Sequence, residues 1–241
     1  MEREGRDRVA GVVLIASYNI RKAIAADRRR RPERILDVLN EIGADIVILQ
    51  EADRRFGERH SAIPFNLLSE HGNYRPVPYE MRHGSIGWHG NAVLVGPNVK
   101  IERHQPLHLP TLEPRGAVLA DLSTDGGTLR VVGMHLDLSG LWRRRQARSI
   151  LDDLQNQPTQ LPTLLAGDLN EWSRGGCLRD FGLHHHPLAL GPSFHARRPV
   201  GKLDRMFVSD GVIVEECGVH SSLLARTASD HLPVWARIRI E

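Results

Sequence analysis

The sequence predicts an α+β fold in which strands outnumber helices, and two observations carry that prediction. Strand-like segments recur along the whole chain, several of them as unbroken apolar runs suited to strands covered on both faces. Only two stretches show a helical period, so a simple alternating βαβ chain is excluded.

Residues 1–8 (MEREGRDR) are polar and without period and read as a flexible terminus, leaving residues 9–241 as one globular domain. The first strand is expected over 9–18. In residues 32–43, Ile35, Val38, Leu39 and Ile42 recur at helical spacing, and Gly43 is a stop signal, so an amphipathic helix leads to a strand at 46–49. Residues 56–90 hold several Gly and Pro and no clear period, and read as long loops or a short excursion over the surface. Strands follow at 92–95, 117–122 and 129–134. A second helix is expected over 141–154, with Ile150, Leu151 and Leu154 facing a core and Arg143, Arg144, Arg145 and Arg148 elsewhere. Strands at 163–165, 206–208 and 235–240 complete the chain.

A hydrophobic content of 41% over 241 residues is enough for a substantial core. Aromatic residues make up only 5%, which leaves few rings to stack on bases, and a net charge of +3 says little about partners. Lysine occurs only at Lys22, Lys100 and Lys202, so the positive charge is almost all arginine. Cys177 and Cys217 are too few for a disulfide framework and are expected to be small buried or half-buried residues. The first apolar run is short for a signal peptide and no stretch is long enough to span a membrane, so a cytoplasmic protein without an integral membrane segment is expected.

Chemistry-bearing residues sit at strand ends. Leu164-Leu165-Ala166-Gly167 delivers Asp168 and Asn170, two residues apart, which on an extended segment point the same way. A carboxylate to orient or deprotonate water, beside an amide to hold a phosphoryl oxygen, suits phosphoester cleavage, although Gly-Asp and Asn are also turn formers. Ser229-Asp230-His231 precedes the last strand, and Asp204 opens another; Asp204 could hold His231 in one tautomer. Asn19 closes the first strand and Gln50-Glu51 the second, placing Glu51 as a ligand for a hard divalent cation with Asn19 beside it. His135 ends the strand Val131–Met134 and could donate to a phosphate oxygen, though a structural role is the commoner one for a lone His. His184, His185 and His186 are read as a surface loop, because three consecutive side chains do not converge on one ion. The arginines at 28–31 are read as a solvated face, and those at 143–148 equally as a solvated helix face or as a means of steering polyanions.

Taken in order, a strand ending in Asn, one in Gln-Glu, one in Gly-Met-His-Leu, a Gly-Asp-Leu-Asn, a Leu-Asp-Arg and a Ser-Asp-His-Leu-Pro span residues 19 to 231. That succession resembles the endonuclease/exonuclease/phosphatase (DNase I-like) superfamily. Tyr-Asn-Ile-Arg-Lys, Pro-Glu-Arg-Ile, Glu-Pro-Arg-Gly-Ala and Ala-Arg-Arg-Pro look like a compact bacterial subgroup of metal-dependent hydrolases. The resemblance implies a four-layer α/β sandwich, two mainly antiparallel sheets face to face with helices outside, and dependence on Mg²⁺ or Mn²⁺. It implies Glu51, Asn19 and Asp230 at the metal, Asp168 and Asn170 on the water and phosphate, Asp204 supporting His231, and His135 binding phosphate, with Asp168 as base and His231 as phosphate ligand or base both open. Arg143, on the helix after His135, is added as a substrate contact. The chain departs from its relatives at Arg21 and Ala23, where many carry His and Gly. The expected activity is hydrolysis of a phosphodiester, in nucleic acid, a lipid headgroup or a small ester, by activated water. A phosphatase acting on a soluble monoester and a non-catalytic binding protein are the alternatives, and nothing in these residues fixes an oligomeric state.

Overall fold

The computed structural model describes residues 10–53, 60–79, 84–113 and 115–241. The expected flexible terminus at 1–8 and parts of the 56–90 stretch lie outside those residues.

The chain begins with β1 (Val12–Asn19), a single 3₁₀ turn at Arg21–Ala23, α1 (Pro32–Ile42) and β2 (Ile46–Gln50). It continues through α2 (Phe65–His71), β3 (Arg75–Pro76), β4 (Ala92–Val95), β5 (Lys100–Leu107), β6 (Gly116–Thr124) and β7 (Gly127–His135). The second half holds α3 (Gly140–Gln155), β8 (Thr163–Asp168), α4 (Cys177–Gly182), β9 (His186–Pro187), β10 (Asp204–Val208), β11 (Val212–Val219), α5 (Ala225–Ala228) and β12 (Val234–Ile240). Proline at the first helical position opens α1, and Gly43, left-handed at φ 68°, closes it as its sequence position predicts.

The strands form two six-stranded sheets, ordered β11-β12-β1-β2-β4-β3 and β5-β6-β7-β8-β10-β9. Only β1–β2 and β7–β8 are parallel, joined through α1 and α3 respectively; the other named pairs are antiparallel. Ile35, Leu36 and Leu39 of α1 pack on Val47 and Leu49 of β2, while Ile150 and Leu151 of α3 pack on Val132 and Leu165. Between the sheets, Ile15, Ile46 and Ile48 meet Val118, Val131 and Leu164. Helix, sheet, sheet and helix therefore make the four-layer sandwich that the resemblance implies. The sheets approach so closely at Gly133 that a Cβ there would lie 2.6 Å from Cγ2 of Ile48.

β5 and β11 lie outside the strands that the sequence predicts. β5 mixes polar and apolar residues, Lys-Ile-Glu-Arg-His-Gln-Pro-Leu, and the apolar run of β11, Val-Ile-Val, is only three residues long before Glu215. Within 56–90, α2 and β3 are short regular pieces rather than loop alone. His184 and His186 lie on the surface as expected, but His185 does not: it is buried, and burial together with its two histidine neighbours lowers its pKa to about 4. Cys177 is buried and Cys217 half-buried, both as free thiols.

Register positions the chemistry. β7 runs parallel to β8 with His135 beside Asp168, and β10 runs antiparallel to β8 with Asp204 opposite Asp168. In the other sheet β1 and β2 end side by side at Asn19 and Gln50, and β12, antiparallel to β1, begins just after His231. All these termini fall on one rim of the sandwich.

Candidate active site

The site is centred on Asp168, the last residue of β8. Gly167 before it has φ +154°, and a Cβ there would sit 1.8 Å from the carbonyl oxygen of Met134 in the parallel neighbour. Glycine is required at this close approach of two backbones, which explains the Gly-Asp pair in terms of packing. Buried Asp168 accepts a hydrogen bond at Oδ2 from Nδ2 of Asn19 at 2.9 Å, a bond that ties the two sheets together across the rim. At Oδ1 it accepts the backbone N–H of Asn170 at 3.0 Å.

Two imidazoles flank that carboxylate. Nε2 of His135 lies 3.5 Å and Nε2 of His231 lies 3.6 Å from Oδ2 of Asp168. The two rings are held in opposite charge states. Burial opposes charge on His231, but Asp204, bonded to it, and then Asp168 and Asp230 outweigh burial and raise its pKa to about 10. His135 is driven to about 3 by burial, with the Arg115 guanidinium adding to the effect and Asp168 opposing it. Arg115 donates to the His135 ring, 2.8 Å from Nδ1, and pairs with Glu113 at 3.5 Å.

Nδ1 of His231 donates to Oδ2 of fully buried Asp204 at 2.8 Å, and the Ser193 hydroxyl donates to the same oxygen. With Nδ1 occupied, Nε2 is the nitrogen turned toward Asp168. Phe194 closes over the ring, its centroid 4.8 Å from that of His231. Ser229 donates to the carbonyl oxygen of Asn19 at 2.8 Å and so fastens the Ser-Asp-His segment to the end of β1.

The residues expected at a metal are near this centre but already face cations. Glu51 pairs with the Lys22 ammonium, and Asp230 pairs with Arg21 at 3.3 Å. Oδ1 of Asn19 accepts the backbone N–H of Arg21 at 3.1 Å. Arg21, Lys22 and Ala23 all have positive φ, at 47°, 57° and 58°. Ala23 is left-handed, a region that glycine alone occupies without a Cβ penalty. Among the described residues, Asp168, Asp204 and His231 form the one group of His, Cys, Asp and Glu ligand atoms lying within 4.8 Å of one another.

Two expectations need correction. Asn170 does not continue the strand: it is left-handed at φ 50°, and Nδ2 donates to the carbonyl oxygen of Leu136 at 2.9 Å. The rule that residues two apart on a strand share a face therefore does not apply to Asp168 and Asn170, because β8 ends between them. Arg143, expected as a substrate contact on an outer helix face, is buried. Its Nε and Nη2 donate to Oε2 of Glu171 at 3.2 and 3.1 Å, and Nη1 donates to the carbonyl oxygens of Asp137 and Leu138 at 3.2 and 2.6 Å. It clamps α3 to the loops after β7 and β8.

Burial works to raise the Glu171 pKa, but hydrogen bonds from Ser173 and the charge of Arg143 hold it below the usual carboxylate range. Arg143→Ala strands that carboxylate in the interior and is expected to cost about 3–5 kcal/mol of stability. Urea unfolding measures this directly, and a loss below about 1 kcal/mol contradicts a clamping role.

Sequence reasoning missed Arg115, Glu171, Ser193 and Phe194. Arg115 and Glu171 lay inside or beside motifs already singled out, Glu-Pro-Arg-Gly-Ala and Gly-Asp-Leu-Asn, whereas Ser193 and Phe194 carry no local signal.

The profile of the Endonuclease/Exonuclease/phosphatase family matches residues 16–231, from β1 to the histidine of the site. The chain belongs to this family. Its members are hydrolases acting on phosphate esters. The chain is 24% identical over 260 residues to YbhP of Escherichia coli (strain K12), covering 94% of this chain and 96% of YbhP. Its fold is similar to that of an endonuclease/exonuclease/phosphatase from Bacteroides vulgatus, with TM-score 0.76, 18% identity, and coverage of 95% of this chain and 99% of that one. It is also similar to the mannosyl-6-phosphatase Bt3783 of Bacteroides thetaiotaomicron VPI-5482, with TM-score 0.72, 18% identity, and coverage of 94% and 99%. Among the described residues, no helix is long and apolar enough to cross a membrane.

Proposed function

We propose that this protein is a divalent-metal-dependent phosphoesterase that cleaves a phosphodiester with an activated water. The observation that carries the reading is the buried carboxylate of Asp168, oriented by Asn19 and the Asn170 N–H and flanked at 3.5 and 3.6 Å by His135 and by an Asp204-backed His231. Within this reading Asp168 orients the water and takes its proton as the water oxygen bonds to phosphorus. The P–O bond to the departing alcohol breaks in the same displacement, and charge grows on the phosphoryl and leaving oxygens. His231 donates from Nε2 to those oxygens, while Asp204 fixes its tautomer and balances its charge. His135 flanks the phosphate, and the second amide hydrogen of Asn170, free of Leu136, reaches a phosphoryl oxygen.

Glu51, Asp230 and Asn19 fit a hard cation by their chemistry: all offer oxygen, and both carboxylates already hold a positive charge at this rim, Lys22 and Arg21. These three residues would hold the Mg²⁺ or Mn²⁺ on which the family generally depends. When bound, that ion supplies Lewis-acid stabilisation of the charge on phosphate.

Release of p-nitrophenol from bis-p-nitrophenyl phosphate is expected with Mg²⁺ or Mn²⁺, to be abolished by EDTA and to return when metal is restored. The ratio of turnover on the bis and mono esters separates diester from monoester preference. Turnover that ignores EDTA would overturn the metal assignment, and no turnover on either ester would favour a binding protein built on the same fold.

A further inference from the structure

Beside the catalytic rim, the outer face of the second sheet carries a cavity of about 580 Å³ to which the mechanism gives no role. It lies between α4, β9 and β10, under the loops around Trp172 and Val200. Four cations line it, Arg174, Arg179, Lys202 and Arg205, and no acidic residue does. Among the described residues none of the four is in an ion pair. Nε of Arg205 is buried without a hydrogen-bond partner, an unmet donor of a kind that folded proteins rarely leave. Glu171, the nearby carboxylate, is already engaged by Arg143 and Ser173.

Apart from Ser173 the rest of the lining is apolar, with Leu188, Met206 and Phe207 among it, and an indole stands at its edge: Trp172 is 65% exposed, unusual for so large an apolar side chain. A wall of packed rings joins the cavity to the site. Trp172 meets Phe194 edge-to-face at 6.0 Å, and Phe194 lies against His231 at 4.8 Å. β10 also runs from Asp204 at the site to Arg205 and Phe207 in the cavity wall, a strand advance of roughly 3 to 10 Å. The volume falls within the range of small-molecule sites, roughly 300–1,000 Å³, and the lining matches their usual pattern of apolar walls with a few polar groups.

We infer that this cavity binds a second anionic group of the substrate together with an apolar or aromatic body, an organic phosphate of about nucleotide size, whose scissile phosphate lies at Asp168. The guanidinium forks of Arg179 and Arg205 hold the anion and Trp172 covers the body. This assignment rests on the phosphoesterase reading for its scissile phosphate, but binding at the cavity is measurable without turnover.

Titration calorimetry of the full chain in EDTA, with adenosine 5′-monophosphate as probe, tests it. Saturable binding is expected, with adenosine and inorganic phosphate each at least about tenfold weaker, since one lacks the anion and the other the body. Binding is expected to survive Asp168→Asn and to weaken about tenfold or more in R179Q/R205Q. The exposed pair R174Q/K202Q, which touches no buried group, should weaken it in the same direction. Equal binding of adenosine and its monophosphate, or affinity unchanged in both double variants, overturns the cavity assignment while leaving the hydrolase reading intact. Loss of hydrolysis in the parent with nucleotide binding retained would overturn the hydrolase reading alone.

Discussion

Asp168→Asn is expected to lower kcat by about a thousandfold at saturating metal, in the middle of the range for loss of a positioned acid–base group. The replacement keeps the shape of the side chain and its amide oxygen can still accept from Asn19, at the cost of the bond from the Asn170 N–H, which then meets an amide nitrogen. What disappears is the negative charge between two imidazoles at 3.5 and 3.6 Å, and with it the group proposed to accept the water's proton. His231→Ala is expected to produce a loss of similar order, since it removes the donor proposed for the developing oxyanions and leaves buried Asp204 with the Ser193 hydroxyl alone. Because the two side chains act on one displacement, the double variant should be far less impaired than the product of the single losses. Steady-state kinetics on bis-p-nitrophenyl phosphate, with circular dichroism to verify folding, decides the matter. A folded Asp168→Asn protein within tenfold of the parent would remove Asp168 from the centre of the reaction.

Gly167→Ala should damage the protein through stability instead. Its added Cβ would lie 1.8 Å from the carbonyl oxygen of Met134 and 2.8 Å from its carbon, both backbone atoms in a parallel strand pair. No rotamer change relieves a clash with backbone, and φ +154° disfavours any side chain. A loss of about 3–5 kcal/mol is expected, which for a chain of this size is a Tm drop of roughly 10 °C. Activity should fall with it, because the only escape is to part β7 from β8, and those strands carry His135 and Asp168. Gly182→Ala is the control: nothing lies within 4 Å of a Cβ there, and Tm should move by no more than about 2 °C. Differential scanning calorimetry of the two variants makes the comparison, and equal Tm values would show that the two strands can part at little cost.

The family, the layering and the polar residues at strand ends could be read from local signals. Continuous apolar runs mark the strands buried on both faces, such as β2 and β4, and the 3.6-residue period with Pro32 and Gly43 marks α1. Asp168, Asp204 and His231 were readable because a polar side chain directly at the end of an apolar run has few structural reasons to be there. Edge strand β5 was not readable, since a strand with partly exposed faces lacks the apolar run that reveals it, and in β11 that run is cut to Val-Ile-Val.

Pairings were the province of tertiary structure. Arg143 reads as a surface cation in its helix, yet the return of the chain after β8 brings Glu171 to it from 28 residues away. Asn19 and Asp168 are 149 residues apart and bonded because two separate sheets end on one rim. The opposite charge states of His135 and His231 follow from burial, which Asp204 outweighs at His231 and which Arg115 reinforces at His135. Lys22 on Glu51 and Arg21 on Asp230 depend on a left-handed turn whose residues are not glycine. Sequence thus determined which chemical groups are available and the strand ends that present them. Only the folded chain decided which groups meet and carry charge, because side-chain hydrogen bonds and Coulomb interactions act over a few ångströms of space regardless of distance along the chain.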